Sequence, residues 1–267
     1  MRTSLIITTY NRPDALIKVL ESVKIQTRFP DELIIADDGS GTETSKAIVE
    51  ALSGAPFPYE HVWQEDLGFR AARIRNQAIK KSTGDYIILL DGDCIIPKKF
   101  IMDHIQLANE GFFFQGKRIV ITQAFTPYFN CDHANAVSKL IPLFFSKKIS
   151  NAHHLIRIPW FPGITSRDLK GIKTCNMGFF KKDMVAVNGF NEDFIGWGRE
   201  DSELAIRFFH YGLKRKSHPF MAVCFHLWHC EQNRNMLQVN DDLLERSKAS
   251  NEYFCTNGLE KSEKQYY

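Results

Sequence analysis

The sequence predicts a doubly wound α/β protein with a mostly parallel sheet, and three observations lead to that prediction. Through residue 110, short β-branched apolar runs alternate with helix-like stretches, which is typical of parallel strands joined by helical crossovers. Acidic or polar residues follow each of these runs. The 267 residues are 44% apolar and 24% charged, which is ordinary for a globular protein with a sizeable core.

The elements of the first half follow from local patterns. The predicted strands are 5–7, 33–36 and 86–90, and the predicted helices begin near Pro13, Glu43 and Arg70. Pro13 suits the first turn of a helix, and residues 40–42 supply capping groups before the second helix. In such sheets ligands bind beyond the carboxyl ends of the strands, so we expect a site at the residues that follow these runs.

The pattern changes after residue 110. Residues 116–123 and 220–225 each predict a strand, and a helix is expected from Glu200 to a glycine end at Gly212. Residues 124–175 are rich in aromatic residues, proline and histidine without a clear period. That composition is typical of loops that shape a binding surface, so we expect loops there.

The chain shows no internal repeat or flexible linker, which favours one continuous domain. We expect a first half at 1–110, a second half at 111–238 and a tail at 239–267. The tail is polar and charged, which predicts one helix followed by a frayed end.

Charge and cysteine content narrow the classes of function. With 34 Lys+Arg against 31 Asp+Glu, the net charge of +3 does not favour a nucleic-acid binder. The six cysteines contain no CxxC pair, which argues against a zinc ribbon or a thioredoxin-like pair and favours a reducing compartment.

Hydropathy and the N-terminus bear on location. The chain has no secretory cleavage pattern, and its longest apolar stretches are shorter than the ~20 residues that span a bilayer. We therefore expect a cytoplasmic protein, with peripheral contact at the inner face of the membrane as an addition. The basic residues 214–216 predict a solvated loop, with an anionic lipid contact as the alternative.

Carboxylates follow two of the predicted strands. Asp91 and Asp93 end the run at 86–90, and such hard oxygen ligands suit Mg²⁺ or Mn²⁺ held together with substrate phosphates. Asp38 follows the run at 33–36, where a carboxylate could bind a uracil or a ribose. Each acidic end alone is explained as well by an Asp-Gly turn. Two such ends at one edge of a sheet favour a binding site.

Three further segments carry candidate groups. Arg75 belongs to a helix that opens after Gly68 and suits phosphate, although a solvated basic face explains it equally well. Trp197 lies between glycines before Glu200 and Asp201. Its ring suits the CH face of a sugar and a carboxylate suits a general base, while acids also stabilise a helix N-terminus.

Two histidines follow the last predicted strand. Either His226 or His229 could complete a metal site begun by Asp93, because neutral imidazole is an acceptable ligand for Mn²⁺. A structural role for both is about as well supported, and the sequence leaves the choice between them open.

Taken together, these motifs resemble the family 2 inverting glycosyltransferases of the GT-A fold, in the same order, over residues 3 to about 235. The Gly-Phe-x5-Arg-Asn spacing from Gly68 and the Gly-Trp-Gly-x-Glu-Asp segment resemble bacterial chondroitin and hyaluronan synthase modules. The second segment also resembles the C-terminal region of β-1,4-galactosyltransferases. The motifs that carry the resemblance are Thr8-Thr9-Tyr10-Asn11-Arg12-Pro13, Asp37-Asp38-Gly39-Ser40, Gly68–Asn76, Leu89-Leu90-Asp91-Gly92-Asp93 and Gly196–Asp201.

The resemblance implies a GT-A fold, with a Rossmann-like sheet for a nucleotide sugar in the first half and the acceptor and catalytic groups in the second. It implies that six residues bind the nucleotide: Thr9, Tyr10, Arg12, Asp38, Arg75 and Asp91. It implies that Mn²⁺ or Mg²⁺ is held by Asp93, His229 and His226. It implies that Asp201 is the catalytic base, that Glu200 holds the acceptor and that Trp197 stacks on it.

The implied reaction is inverting transfer of one sugar from a UDP-sugar to a hydroxyl of a glycan or lipid-linked glycan, in surface polysaccharide or lipopolysaccharide assembly. A single transfer is expected because the synthases carry two catalytic modules and this chain carries one. Two alternatives stay open. A sugar-nucleotide-forming nucleotidyltransferase would have a glycine-rich loop with a lysine at 8–13, and a non-catalytic glycan-binding module would not need the acidic strand ends.

Overall fold

The structure, a computed structural model, describes residues 1–231 and 233–261. The strands in this part of the chain are β1 (Thr3–Thr9), β2 (Glu32–Asp37), β3 (Tyr59–Trp63), β4 (Tyr86–Asp91), β5 (Cys94–Ile95), β6 (Phe112–Gln115), β7 (Lys117–Ile121), β8 (Ile149–Ser150), β9 (Ile164–Ser166), β10 (Asn176–Phe180), β11 (Lys214–Ser217) and β12 (Val223–His226). The helices are α1 (Pro13–Lys24), α2 (Thr42–Ala51), α3 (Ala71–Lys81), α4 (Phe100–Leu107), α5 (Cys131–Ala134), α6 (Val137–Phe145), α7 (Lys181–Ala186), α8 (Glu200–Tyr211) and α9 (Leu237–Ala249), with a 3-10 turn at Ala152–His154.

Eight strands form the main sheet, in the order β3-β2-β1-β4-β10-β6-β11-β9. Six of them run in one direction, and β9 and β10 run in the other. The predicted mostly parallel α/β sheet is therefore confirmed. In register, Thr8 lies opposite Asp91 and Thr9 opposite Asp37, so the carboxyl ends of β1, β2 and β4 meet at one edge.

Helices cover both faces of this sheet. Along β1, Leu5 and Ile7 join the core under α1, and Ile6 joins the core on the opposite face with residues of α3 and α8. This follows from the alternation of side chains along a strand, and it explains why the strand is apolar at every position of its centre. Two buried layers hold the carboxyl edge of the sheet in place.

A second, four-stranded sheet has the order β5-β12-β7-β8. In it, Cys94 of β5 pairs with His226 of β12, and His226 in turn lies opposite Val120 of β7. Because β5 begins directly after Asp93, this pairing brings the last histidine motif to the end of β4. The second sheet thus connects the late part of the chain to the acidic edge of the first.

Most predicted elements of the regular first half are present, and so are the strand at 116–123 as β7, the strand at 220–225 as β12 and the helix from Glu200. The expectation of loops throughout 124–175 is wrong, because α5, α6, β8 and β9 lie there. The expected solvated loop at 214–216 is also wrong. Those residues belong to β11, where buried Arg215 donates to the carbonyl oxygens of Asp168 (2.9 Å) and Lys170 (2.8 Å).

The predicted tail helix is α9, which begins at Leu237. The frayed end expected after it falls partly on residues 262–267, which lie outside the described residues. The halves 1–110 and 111–238 both contribute strands to the main sheet, and their separate functions stay a prediction. Within the described part of the chain, each helix is too short or too polar to cross a bilayer.

Candidate active site

A cavity of about 420 Å³ lies where β1, β2 and β4 end. Its wall also includes the start of α8, the end of β12 and the loop before β10. All twelve site residues predicted from the sequence line it: Thr9, Tyr10, Arg12, Asp38, Arg75, Asp91, Asp93, Trp197, Glu200, Asp201, His226 and His229. The fold therefore brings together groups that are up to 220 positions apart in the chain.

The two aspartates after β2 have different surroundings. Asp37 is fully buried, where it accepts from Ser40 N (2.8 Å) and lies 3.0 Å from His61 Nε2, so it supports the turn. Asp38 lines the cavity and accepts from the backbone N of Arg70 (2.8 Å). Burial raises the pKa of Asp38. Only Asp38 is therefore placed to meet a ligand.

Glycine is required at the turn after these aspartates. Gly39 has φ +100°, and a Cβ there would lie 2.6 Å from the Cα of Asp66. A side chain at this position would displace Asp66. Asp66 accepts a hydrogen bond from the hydroxyl of Tyr10 (2.9 Å), so that bond would be disturbed as well. The Asp-Gly pair thus keeps Tyr10 at the cavity wall as well as ending the strand.

Asp93, His226 and His229 form the one group of His, Cys, Asp or Glu side chains with metal-ligand spacing that the described residues contain. One ligand atom from each lies within 4.8 Å of the others. His226 Nε2 is 3.5 Å from Asp93 Oδ1, and His229 Nε2 is 3.5 Å from Asp93 Oδ2. A carboxylate with two imidazoles suits Mn²⁺, so these residues fit a divalent ion.

Protonation favours the same use of this cluster. Burial lowers the pKa of His226 to about 4, so its imidazole is neutral at pH 7 and keeps a lone pair for a metal ion. Burial raises the pKa of Asp93, although His229 and Arg12 oppose the shift. Arg12 Nη1 donates to Asp93 Oδ2 (3.2 Å), which aims that carboxylate from the side of α1.

Arg75 lies among three carboxylates on the opposite wall. It is 5% exposed, and its guanidinium nitrogens lie 3.6 Å from Asp91 Oδ1, 3.3 Å from Glu200 Oε1 and 3.7 Å from Asp201 Oδ1. The group stacks over the ring of Phe190, with 5.5 Å from Cζ to the centroid. A planar guanidinium can pair with several carboxylates at once, so Arg75 joins the end of β4 to the start of α8.

Burial also shifts the titration of two of these acids. It raises the pKa of Asp91 to about 6, although the charge of Arg75 opposes the shift. It raises the pKa of Glu200 to about 7, with repulsion from Asp201 adding to the effect. Near neutral pH, Glu200 therefore exists in both protonation states.

Asp201 is held mainly by one residue. Thr174 donates its backbone N to Asp201 Oδ2 (3.0 Å) and its hydroxyl to Oδ1 (2.7 Å). The carboxylate is 21% exposed and lines the cavity. Within the described residues Oδ2 accepts only the bond from Thr174, so it retains a lone pair that could take a proton from a ligand.

Trp197 is half-buried at the cavity mouth, and the guanidinium of Arg234 lies over its ring at 5.0 Å. Arg234 also donates to Glu231 Oε2 (2.8 Å). The predicted sugar-stacking ring therefore has one face covered by an arginine. A second cavity of about 370 Å³ shares Trp197, Tyr10 and Asp38 with the first, so the ring stands between the two.

Among the cavity-lining residues that the sequence interpretation did not single out, three polar ones stand out: Thr174, Arg118 and Arg234. Thr174 lies in the loop before β10, where no local pattern distinguishes it. Arg118 was part of a predicted strand, and the polar pair at 117–118 was a signal that one end of β7 faces a polar space. Arg234 lies in a polar segment that gave no signal.

Comparison with known proteins identifies the family and the fold. The profile of "Glycosyl transferase family 2" matches residues 4–170, and that of the "N-terminal domain of galactosyltransferase" matches residues 165–230. The hyaluronan synthase of Pasteurella multocida is 28% identical over 223 residues, which is 78% of this chain and 23% of the synthase. The chain spans about half the length or less of the first curated relatives it matches.

Solved structures share the fold. Staphylococcus aureus TarS 1–349 in complex with UDP-GlcNAc has a TM-score of 0.67 at 16% identity, covering 92% of this chain and 66% of TarS. The mannosyltransferase PcManGT of Pyrobaculum calidifontis, in complex with GDP-Man and Mn²⁺, has a TM-score of 0.57 at 19% identity, covering 84% and 56%.

These matches define the class. The chain belongs to glycosyltransferase family 2, since the family profile covers more than half of it, and its fold is that of the GT-A glycosyltransferases. The predicted family, fold and enzyme class are confirmed. The resemblance to hyaluronan and chondroitin synthases is confirmed as well.

Proposed function

We propose that this protein transfers one sugar from a UDP-sugar to a hydroxyl of a glycan or lipid-linked glycan, with inversion at the anomeric carbon and with a divalent metal ion bound. The observation that carries the proposal is the single cavity into which a metal-ligand cluster, an acidic strand end and a held carboxylate all point. The UDP-GlcNAc bound by TarS supports the donor class. Surface polysaccharide or lipopolysaccharide assembly is the proposed context.

Asp201 is the proposed base. Thr174 donates to both carboxylate oxygens and fixes the carboxylate plane, and Asp201 lines the cavity, which leaves the second lone pair of Oδ2 for a ligand. An acceptor hydroxyl hydrogen-bonded there passes its proton to Oδ2 as its oxygen attacks the anomeric carbon. A positioned base contributes about 10² to 10⁴ in rate. Attack from the side opposite the leaving diphosphate inverts the configuration.

In this proposal Arg75 neutralises part of the negative charge of the three carboxylates around it. Its positive charge offsets the repulsion among Asp91, Glu200 and Asp201, whose oxygens lie 3.3 to 3.7 Å from its nitrogens. Glu200, with a pKa of about 7, can donate a hydrogen bond to an acceptor hydroxyl when protonated and accept one from it when ionised. In this proposal Asp91 contacts the ribose or the sugar of the donor. The nucleoside is contacted by Asp38, Tyr10 and Thr9.

Asp93, His226 and His229 would hold Mn²⁺ or Mg²⁺, as their spacing and neutral imidazole support. When bound, the ion offsets the charge that develops on the departing diphosphate. The Mn²⁺ in the PcManGT complex supports this assignment for the fold. Arg12 and Arg118 line the same side of the cavity and add fixed positive charge for phosphate oxygens.

The test is release of UDP from a panel of UDP-sugars in the presence of Mn²⁺, followed by NMR assignment of the product's anomeric configuration. Asp201→Asn should lower turnover by about 10² to 10⁴ while UDP binding by calorimetry stays intact. Asp242→Asn, on the exposed side of α9, is the matched control and should behave as the native protein. Near-native turnover of Asp201→Asn, or retention of configuration, would overturn the proposal.

A further inference from the structure

Helix α6 is apolar over one wide arc of its surface, which is buried on one side and exposed on the other. One face carries Leu140 and Leu143, which are buried in the core under the main sheet. A helix on the surface of a globular protein normally has one apolar stripe, which packs inward. The outer side of α6 nevertheless exposes four large apolar side chains, three of them at i, i+4 and i+7: Val137, Ile141, Phe144 and Phe145.

The segment that contains this helix has charge of one sign, whereas the neighbouring helix α5, which packs against α6, carries one exposed acid, Asp132. Residues 133–167 contain no Asp or Glu and carry five cationic residues: Lys139, Lys147, Lys148, Arg157 and Arg167. Arg157 is used internally, at 2.6 Å from Asp103. The three lysines are exposed, and none of them forms an ion pair with another described residue, while Lys148 Nζ lies over the ring of Phe125 at 5.0 Å. Exposed aromatic residues beside unpaired lysines are typical of helices that lie in a lipid headgroup layer.

The helix is close to the proposed metal cluster. It packs against β8, the edge strand of the second sheet. Across that sheet, His226 lies opposite Val120, and Val120 lies opposite Ser150 of β8. With strands spaced about 4.8 Å apart, His226 is about 10 Å from the edge beside α6. A surface that binds α6 would therefore lie near the cavity.

We propose that the exposed apolar face of α6, with Lys147 and Lys148 directly after the helix, docks on an anionic lipid membrane. The apolar stripe enters the boundary between headgroups and acyl chains, and the lysines meet lipid phosphates. The absence of acidic residues over 133–167 selects an anionic surface, since a neutral one would give the lysines no advantage. The site differs from residues 214–216, whose arginine is buried in the main sheet.

The test is co-sedimentation of the full chain with vesicles, in low salt and without donor or acceptor. We expect binding to vesicles of one part phosphatidylglycerol to two parts phosphatidylcholine, and none to phosphatidylcholine alone. Phe144→Glu should lower the partition coefficient by about tenfold, because the phenyl ring that enters the lipid is lost. Replacing Lys147 or Lys148 by Gln should lower it by about fivefold each.

Phe254→Glu is the matched control, because Phe254 is 49% exposed and Phe144 is 48% exposed, and Phe254 follows α9 rather than α6. It should partition as the native protein does. The proposal is wrong if the native chain does not bind the anionic vesicles, or if Phe144→Glu and Phe254→Glu partition equally. A dimer in light scattering that Phe144→Glu dissociates, without vesicle binding, would instead make this face a contact between copies. Because no sugar transfer is measured, the result is independent of the proposed function.

Discussion

The burial of the Glu200 carboxyl should make the stability of the protein depend on pH, and this can be measured without substrate. Burial raises its pKa from 4.5 to about 7, so between these values the folded protein holds a proton that the unfolded chain has lost. The unfolded state then binds fewer protons, and this group makes stability fall as pH rises through that range. At about 1.4 kcal/mol per pKa unit, the loss is about 3 kcal/mol when pH exceeds 7.

The variant Glu200→Gln isolates this effect. Its amide resembles the protonated acid in shape and can still accept from Arg75, so at pH 5 the variant and the native protein should be about equally stable. At pH 8 the variant should be the more stable by about 3 kcal/mol. Urea unfolding followed by tryptophan fluorescence at both pH values measures the difference.

Glu252→Gln, at an exposed position, is the control and should show no such change between pH 5 and pH 8. The burial of Glu200 is not the cause if the free energy of unfolding of Glu200→Gln differs from that of the native protein by the same amount at pH 5 and at pH 8. A variant less stable than the native protein at pH 8 would show that the ion pair with Arg75 outweighs burial.

Three other substitutions test separate features. Thr174→Val removes the hydroxyl bond to Asp201 and should lower kcat about tenfold with UDP binding unchanged in calorimetry, whereas equal kcat would deny Thr174 a positioning role. Arg75→Met should lower the free energy of unfolding by about 3 kcal/mol at pH 8 and by less at pH 5, and an equal loss at both would contradict its role among the acids. Gly39→Ala should cost about 2 kcal/mol in thermal unfolding and Gly54→Ala less, because both have positive φ but, of the two, Gly39 alone lacks space for a Cβ; equal losses would count against that reason.

The regular part of the fold was predictable because its strands are buried on both faces. The centre of β1 is apolar at every position, and the same holds for β2 and β4, so hydropathy alone located them. The sequence Tyr59–Trp63 of β3 is mostly exposed at the edge of the sheet and lacks that signal. Strand β11 was missed for a related reason, since its three basic residues resemble a solvated loop.

The candidate site was predictable where its residues follow strands. Asp38, Asp91 and Asp93 were expected at the same edge once β2 and β4, which flank β1, were recognised as parallel strands of one sheet. The position of His226 depends on its pairing with Cys94 in the second sheet, which no local pattern predicts. Thr174 is the clearest omission, because a single threonine in a loop becomes informative only when Asp201 is seen beside it.

The central claim is that Asp93, His226 and His229 bind one divalent ion that the UDP diphosphate also needs. Calorimetric titration of UDP into the native protein and into His229→Ala, each with Mn²⁺ or with EDTA, tests it directly. The native protein should bind UDP at least about tenfold more tightly with Mn²⁺, and His229→Ala should lose that gain. Equal affinity of the native protein in Mn²⁺ and in EDTA, or an unchanged gain in His229→Ala, would contradict it.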